Sequence, residues 1–150
     1  GSEPDRFKAA KESFEQTTSR YHLPSATARG ADREKLLKKA AAGYNGLLRD
    51  YRDQPYWCAQ ALRSLGNVRA AQGRLDEAVT LYSQVATQYS SLDWEVLQAW
   101  KSAGDLLWDA GRVDAARRYY DKIVAKYDKT EDPAIVKLIV RASKSRLADS

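Results

Sequence analysis

Few residues of this chain are of a type that could carry out chemistry, and their spacing argues against it. The single histidine, His22, stands in a polar stretch with no cysteine or patterned Asp/Glu nearby to complete a metal-ligand set or a proton relay, so it reads as a solvated side chain. The single cysteine, Cys58, falls near the start of a helix, where the N-terminal dipole could lower a thiol pKa. Its neighbours Trp57 and Ala61 favour burial instead. The carboxylate pairs Asp76-Glu77 and Glu131-Asp132 fall in helix first turns, where negative charge complements the helix dipole and a structural role suffices. The chain has no Gly-rich phosphate loop, Gly-x-Ser-x-Gly elbow or His-Glu-x-x-His helix. The expectation is therefore no catalytic residue, no metal, no cofactor and no enzymatic activity.

Two charged features remain. Lys137, Arg141 and Lys144 form a basic line at i, i+4 and i+7 with Arg146 close by, a pattern that could meet nucleic acid, acidic lipid or an acidic protein. A solvated outer face on a terminal helix is the reading favoured here. The net charge of +5 raises nucleic acid again, yet acidic residues interleave with basic ones, as in Arg49-Asp50-Tyr51-Arg52-Asp53, which is the pattern of a mixed solvated surface.

The elements that must position these residues follow from composition and spacing. With 150 residues, 43% hydrophobic content, 30% charge, 8 Gly and 4 Pro, the chain suits a single all-α domain over 1–150. One cysteine rules out an internal disulfide. No run of apolar residues approaches the roughly 18 that a membrane-spanning helix needs, and nothing resembles a signal peptide. Gly1-Ser2 without an initiator Met reads as a cloning remnant, so an upstream targeting segment can have been removed.

Self-similarity at a spacing of 38 organises the rest: Ala40, Ala78 and Ala116; Tyr44, Tyr82 and Tyr120; Tyr51, Tyr89 and Tyr127. Leu37, Leu75, Val113 and Leu47, Val85, Ile123 repeat at the same offset, so each copy carries one apolar helix face. Upstream of the second and third copies lie Leu62-Arg63-Ser64-Leu65-Gly66 and Trp100-Lys101-Ser102-Ala103-Gly104, then Gly73-Arg74 and Gly111-Arg112. Each unit is thus helix, Gly turn, helix, with Gly73 and Gly111 suited to a left-handed residue after a helix end. Asp53 with Pro55, Asp93, and Asp132 with Pro133 supply start signals. Pro24 and Gly30 interrupt the first unit, so its opening helix is expected earlier, over residues 5–21 on Phe7, Ala10, Phe14 and Tyr21, followed by a loop over 22–31 and a helix from near Asp32. A last helix over 133–149 should bury Ile135, Leu138, Ile139 and Ala142 and cap the stack.

Leu62, Leu65, Gly66, Ala78 and Tyr82, then Trp100, Gly104, Ala116 and Tyr120, resemble the tetratricopeptide repeat family. Ala103 stands where the family has Leu, and Ser90 and Asp128 where it has a closing Pro. The resemblance covers residues 37–127. It implies an α-solenoid of three helical hairpins, at about 5–52, 55–90 and 93–128, plus a capping helix at about 133–149. A lengthened unit with tyrosine near the end of the second helix looks like the periplasmic branch of the family, such as the Tol-Pal coordination and outer-membrane assembly lipoproteins, hence a preference for the bacterial envelope.

The resemblance also implies a function. In this family the first helices of successive units line a concave groove, which puts Gln60, Arg63 and Asn67 beside Gln98, Lys101, Asp105, Trp108 and Asp109. Arg63, Asn67 and Lys101 resemble part of a carboxylate clamp for a peptide C-terminus, while Asp105 departs from it and favours a mixed-charge peptide or helix. Trp108 fits either the core or an exposed anchor. The leading expectation is a scaffold that holds a peptide or helix of a partner protein in this groove. Self-association into a homo-oligomer within a larger protein is the alternative, and nucleic-acid binding ranks behind both.

Overall fold

A computed structural model of the chain describes residues 2–128 and 133–149. Among them are seven helices and no strand: α1 (Glu3–Thr17), α2 (Gly30–Asp50), α3 (Pro55–Ala71), α4 (Leu75–Gln88), α5 (Asp93–Asp109), α6 (Val113–Tyr127) and α7 (Ala134–Ala148). Helices α1 with α2, α3 with α4 and α5 with α6 pair as hairpins, and α7 packs on α6. The architecture is a tetratricopeptide-like α-solenoid, as the resemblance implies.

The repeated positions form the seams. Ala40, Ala78 and Ala116 are fully buried, Tyr44, Tyr82 and Tyr120 nearly so, and Leu47, Val85 and Ile123 are sealed from solvent. Burying each of the aliphatic three is worth roughly 1.5–3 kcal/mol. Every cluster joins neighbouring hairpins: Leu37, Tyr44 and Leu47 of α2 meet Trp57, Ala61 and Leu65 of α3, and Ala78, Tyr82 and Val85 of α4 meet Ala99 and Ala103 of α5. Helix α7 completes the series by laying Val136 and Val140 against Tyr120, Ile123 and Tyr127. Gly73 and Gly111 take φ of 78° and 80°, the left-handed turn expected of them.

Several local expectations are corrected. The opening helix does not give way to a loop over 22–31. A π-type turn at Thr18–His22 and a further helical turn at Leu23–Ser25 continue α1, and α2 begins at Gly30 (φ 56°) rather than Asp32. Pro24 does not break the chain because it sits in the first turn of that restarted segment, where its missing N–H has no intrahelical partner to lose. Asp53 and Asp93 do not cap: the N-cap residues of α3 and α5 are Gln54 and Leu92, without side-chain caps. Asp53 turns instead to Arg6 of α1, whose guanidinium reaches Asp53 Oδ1 at 2.7 Å and the Asp50 carbonyl at 2.9 Å, clipping the first helix to the end of α2. This contact holds the Asp53 carboxyl far below the usual carboxylate range. Pro55 opens α3 and Asp76-Glu77 occupy the first turn of α4, as expected. Asp132 and the pair Glu131-Asp132 lie outside the described residues.

The last helix is rotated relative to its expected register. Val136, Val140 and Ser143 are buried, Ile139 is partly buried, and Ile135, Leu138 and Ala142 are exposed. No described helix is long and apolar enough to cross a membrane.

Candidate partner-binding groove

The candidate strip along α3 and α5 is built on a contact that occurs twice. Gly66 of α3 and Gly104 of α5 lie so close to the second helices of their hairpins that a Cβ would come within 2.6 Å of Tyr82 Cε1 and 2.8 Å of Tyr120 Cε1. With the rings pressed on glycine, each tyrosine hydroxyl reaches the next residue of the first helix. Tyr82 donates to Asn67 Oδ1, and Tyr120 donates to Asp105 Oδ1 at 2.6 Å. Burial pushes the Tyr82 phenol up to about 12, and burial with the Asp105 carboxylate raises that of Tyr120 further. Asn67 and Asp105 are therefore held by their own hairpins.

Adjacent first helices meet through a residue that sequence reasoning passed over. Glu95 of α5 is buried, accepts from Gln60 Nε2 at 3.0 Å and faces Arg63 Nε at 3.5 Å, while Arg63 also donates to Gln60 Oε1 at 3.3 Å. Burial raises the Glu95 carboxyl above its ordinary value, opposed by the Arg63 charge. A signal was present: Glu95 is the 38-residue counterpart of Trp57, an acid at a core position. Lys101 Nζ donates to Asp105 Oδ2 at 2.5 Å. The cations expected to clamp a carboxylate, Arg63 and Lys101, are both paired within the chain, and Asn67 already accepts a hydrogen bond.

Gln60, Arg63, Asn67, Gln98, Lys101 and Asp105 are all half-buried along α3 and α5, and Asp109 is exposed at the end of α5. Trp108 is half-buried, with its ring edge-on to Tyr120 at 6.3 Å and the Arg146 guanidinium of α7 4.5 Å from its centre. It belongs in part to the core, and α7 covers it. Two aromatics that the sequence reading missed extend the strip by one turn: Tyr56, 41% exposed, precedes Gln60 by four residues, and Trp94, 38% exposed, precedes Gln98 by four. They too are 38 apart.

The candidate chemical groups resolve into packing. His22 is not solvated: Nδ1 lies 2.8 Å from the Tyr44 hydroxyl, which also meets Thr18 Oγ1 at 2.7 Å, and burial lowers its pKa. The Cys58 thiol is buried, donates to the Tyr51 carbonyl at 3.1 Å and is raised by desolvation, so it is a core residue as its neighbours indicated. On α7, Lys137 and Arg141 are exposed and Lys144 pairs with Asp128.

A stack of helical hairpins with a strip of half-exposed side chains along its first helices defines the class of helical-repeat proteins. Residues 57–129 match the family model for tetratricopeptide repeat, the stretch that holds the second and third hairpins. No curated protein matches the chain. The match supports the tetratricopeptide repeat family, whose repeats mediate protein–protein interactions and are not catalytic.

Proposed function

We propose that this protein is a scaffold or adaptor that holds a peptide or helix of a partner protein along the inner face of α3 and α5. The observation that carries the reading is the alignment of half-exposed polar side chains from successive first helices, Gln60, Arg63 and Asn67 beside Gln98, Lys101 and Asp105, ending in the exposed rings of Tyr56 and Trp94. Trp and Tyr beside polar groups is the composition of interface hot spots. Because the cations are paired internally, a mixed or neutral segment suits this face better than a free C-terminal carboxylate.

The test is capture of partners from the source organism by the wild-type protein and by Lys101→Glu, Trp94→Ala and Arg141→Glu variants. The first two should lose the captured partner with the helical far-ultraviolet spectrum kept. Because Lys101 is half-buried and paired with Asp105, and Trp94 lines a cleft with Leu97 and Tyr127, each should also lower the melting temperature, whereas exposed Arg141→Glu should shift stability by less than about 0.5 kcal/mol. Loss confined to Arg141→Glu would sink the groove reading, and a shift in sedimentation on that variant would favour self-association through the terminal helix. Within this reading the protein serves a bacterial envelope assembly, on the strength of the 38-residue unit and Tyr51, Tyr89 and Tyr127. Fractionation of cells that make the natural protein tests that compartment.

A further inference from the structure

The apolar residues exposed on α7 sit where the inner face continues. Val136 and Val140 take the buried places that Ala99 and Ala103 hold in α5, one residue short of the repeat length. In that frame Ile135, Leu138 and Ala142 take the places of Gln98, Lys101 and Asp105, the polar strip of the groove. Contacts at both ends of α7 agree with this. Ile135 and Val136 line a cleft of about 300 Å³ with Trp94, Leu97, Tyr127, Pro133 and Asp93, whose carboxylate is paired with Lys126, and Arg146 lies over Trp108.

The same frame excludes the ordinary reason for an apolar end. Trp100, Gly104 and Leu107 of α5 pack toward their own second helix, Trp100 on Tyr127 and Gly104 on Tyr120. Their counterparts on α7 are Lys137, Arg141 and Lys144, all exposed, so the side on which another helix would stack is charged. Ile135 and Leu138, 52% and 57% exposed, are therefore not the remnant of a stacking surface. In that frame they continue the side of Gln98, Lys101 and Asp105, along which the cations are already matched, Arg63 by Glu95 and Lys101 by Asp105. A charged ligand would have to break one of these pairs, whereas an uncharged apolar one would not.

We propose that Trp94, Ile135 and Leu138 form an anchoring subsite for bulky apolar side chains of an uncharged partner peptide, at the C-terminal end of the groove. This deepens the scaffold reading and rests on it. The cleft accepts one large side chain beside the Trp94 ring, and Leu138 offers a second apolar contact one helical turn along α7.

The experiment is selection of a random-peptide display library on the whole chain, followed by affinity measurements of synthetic copies of the selected peptides on variants. Selected sequences should carry bulky apolar residues without an excess of Asp or Glu and should bind equally well with an amidated C-terminus. Leu138→Glu and Trp94→Ala should each weaken them by about tenfold or more, while Arg141→Glu leaves affinity unchanged. Leu138 is exposed, so its variant should retain the wild-type helical spectrum and melting curve, which controls for folding. Peptides that are acidic and respond to Arg141→Glu, or that need a free carboxylate, would overturn the subsite, as would a change in self-association as the only consequence of Leu138→Glu. Affinity lost on Lys101→Glu but kept on Leu138→Glu refutes the anchor and leaves the groove standing. Peptides indifferent to all these variants, or no selected consensus, refute both.

Discussion

Replacing Gly104 by alanine asks, with one added carbon, what sets the separation of the two helices in a hairpin. In an open helix interior this change stabilises, because glycine is about 1 kcal/mol worse than alanine there. At Gly104 the new methyl would lie 2.8 Å from Cε1, 3.0 Å from Cζ and 3.2 Å from Cδ1 of Tyr120. Carbon atoms prefer separations of about 3.5–4.0 Å, so the ring would have to retreat by more than half an ångström, roughly speaking. It has little room to do so, being 1% exposed, bonded to Asp105 and flanked by the Trp108 ring. Overpacking of this kind costs about 1–3 kcal/mol. Release of the ring instead gives up a hydrogen bond to a carboxylate, about 1.5–3 kcal/mol. After the gain in helix propensity, a net loss of about 1–2 kcal/mol is expected. Urea unfolding followed by far-ultraviolet circular dichroism measures it. The control is Gly46→Ala, whose Cβ would meet only the Arg49 guanidinium at 3.7 Å and which should gain about 0.4–1 kcal/mol. A Tyr120→Phe background should soften the Gly104 penalty, because the ring is then no longer tethered to Asp105. If Gly104→Ala instead matched Gly46→Ala in sign, the Gly–Tyr contact would not fix the hairpin, and the argument that it positions Asp105 would fail.

The other expectations are briefer. Ala116 is fully buried at a seam, so Ala116→Leu should cost about 1–3 kcal/mol in the same assay, and a neutral result would contradict the repeat register. Trp108→Ala should lower stability by about 2–3 kcal/mol, near the bottom of the range for buried tryptophan because one face meets Arg146 rather than the core; unchanged stability with lost partner binding would make it an anchor alone. Burial lowers the pKa of His22, so below its ordinary 6.5 the unfolded chain binds a proton that the folded chain resists. Stability from this group is full above 6.5 and is lost as pH falls toward the folded value. Glu95 has the opposite sign: its raised pKa makes stability fall as pH rises from 4.5 through the folded value. His22→Gln should therefore flatten the rise of melting temperature as pH climbs from the acid side toward about 6.5, and an unaltered slope there would refute the buried-neutral assignment.

What the sequence determined by itself is what a repeat can encode locally. A solenoid unit touches only its neighbours, so the same Ala, Tyr and aliphatic positions must recur wherever a seam recurs, and the spacing of 38 exposed the hairpins, the turn glycines Gly73 and Gly111 and the buried registers. The recurrence of half-buried polar positions on α3 and α5 follows for the same reason, though the partners that Gln60, Arg63, Asn67, Lys101 and Asp105 take within the chain do not. Tertiary structure decided which residues meet across elements: Arg6 with Asp53, His22 with Tyr44, and Glu95 with Arg63, pairs 22 to 47 residues apart that no local pattern announces. It also decided the rotation of α7. One residue turns a helix by about 100°, and Ile135, Val136, Leu138, Ile139 and Val140 spread apolar character around so much of its circumference that several faces could have been buried. Packing against Tyr120, Ile123 and Tyr127 chose Val136 and Val140, and left Ile135 and Leu138 exposed.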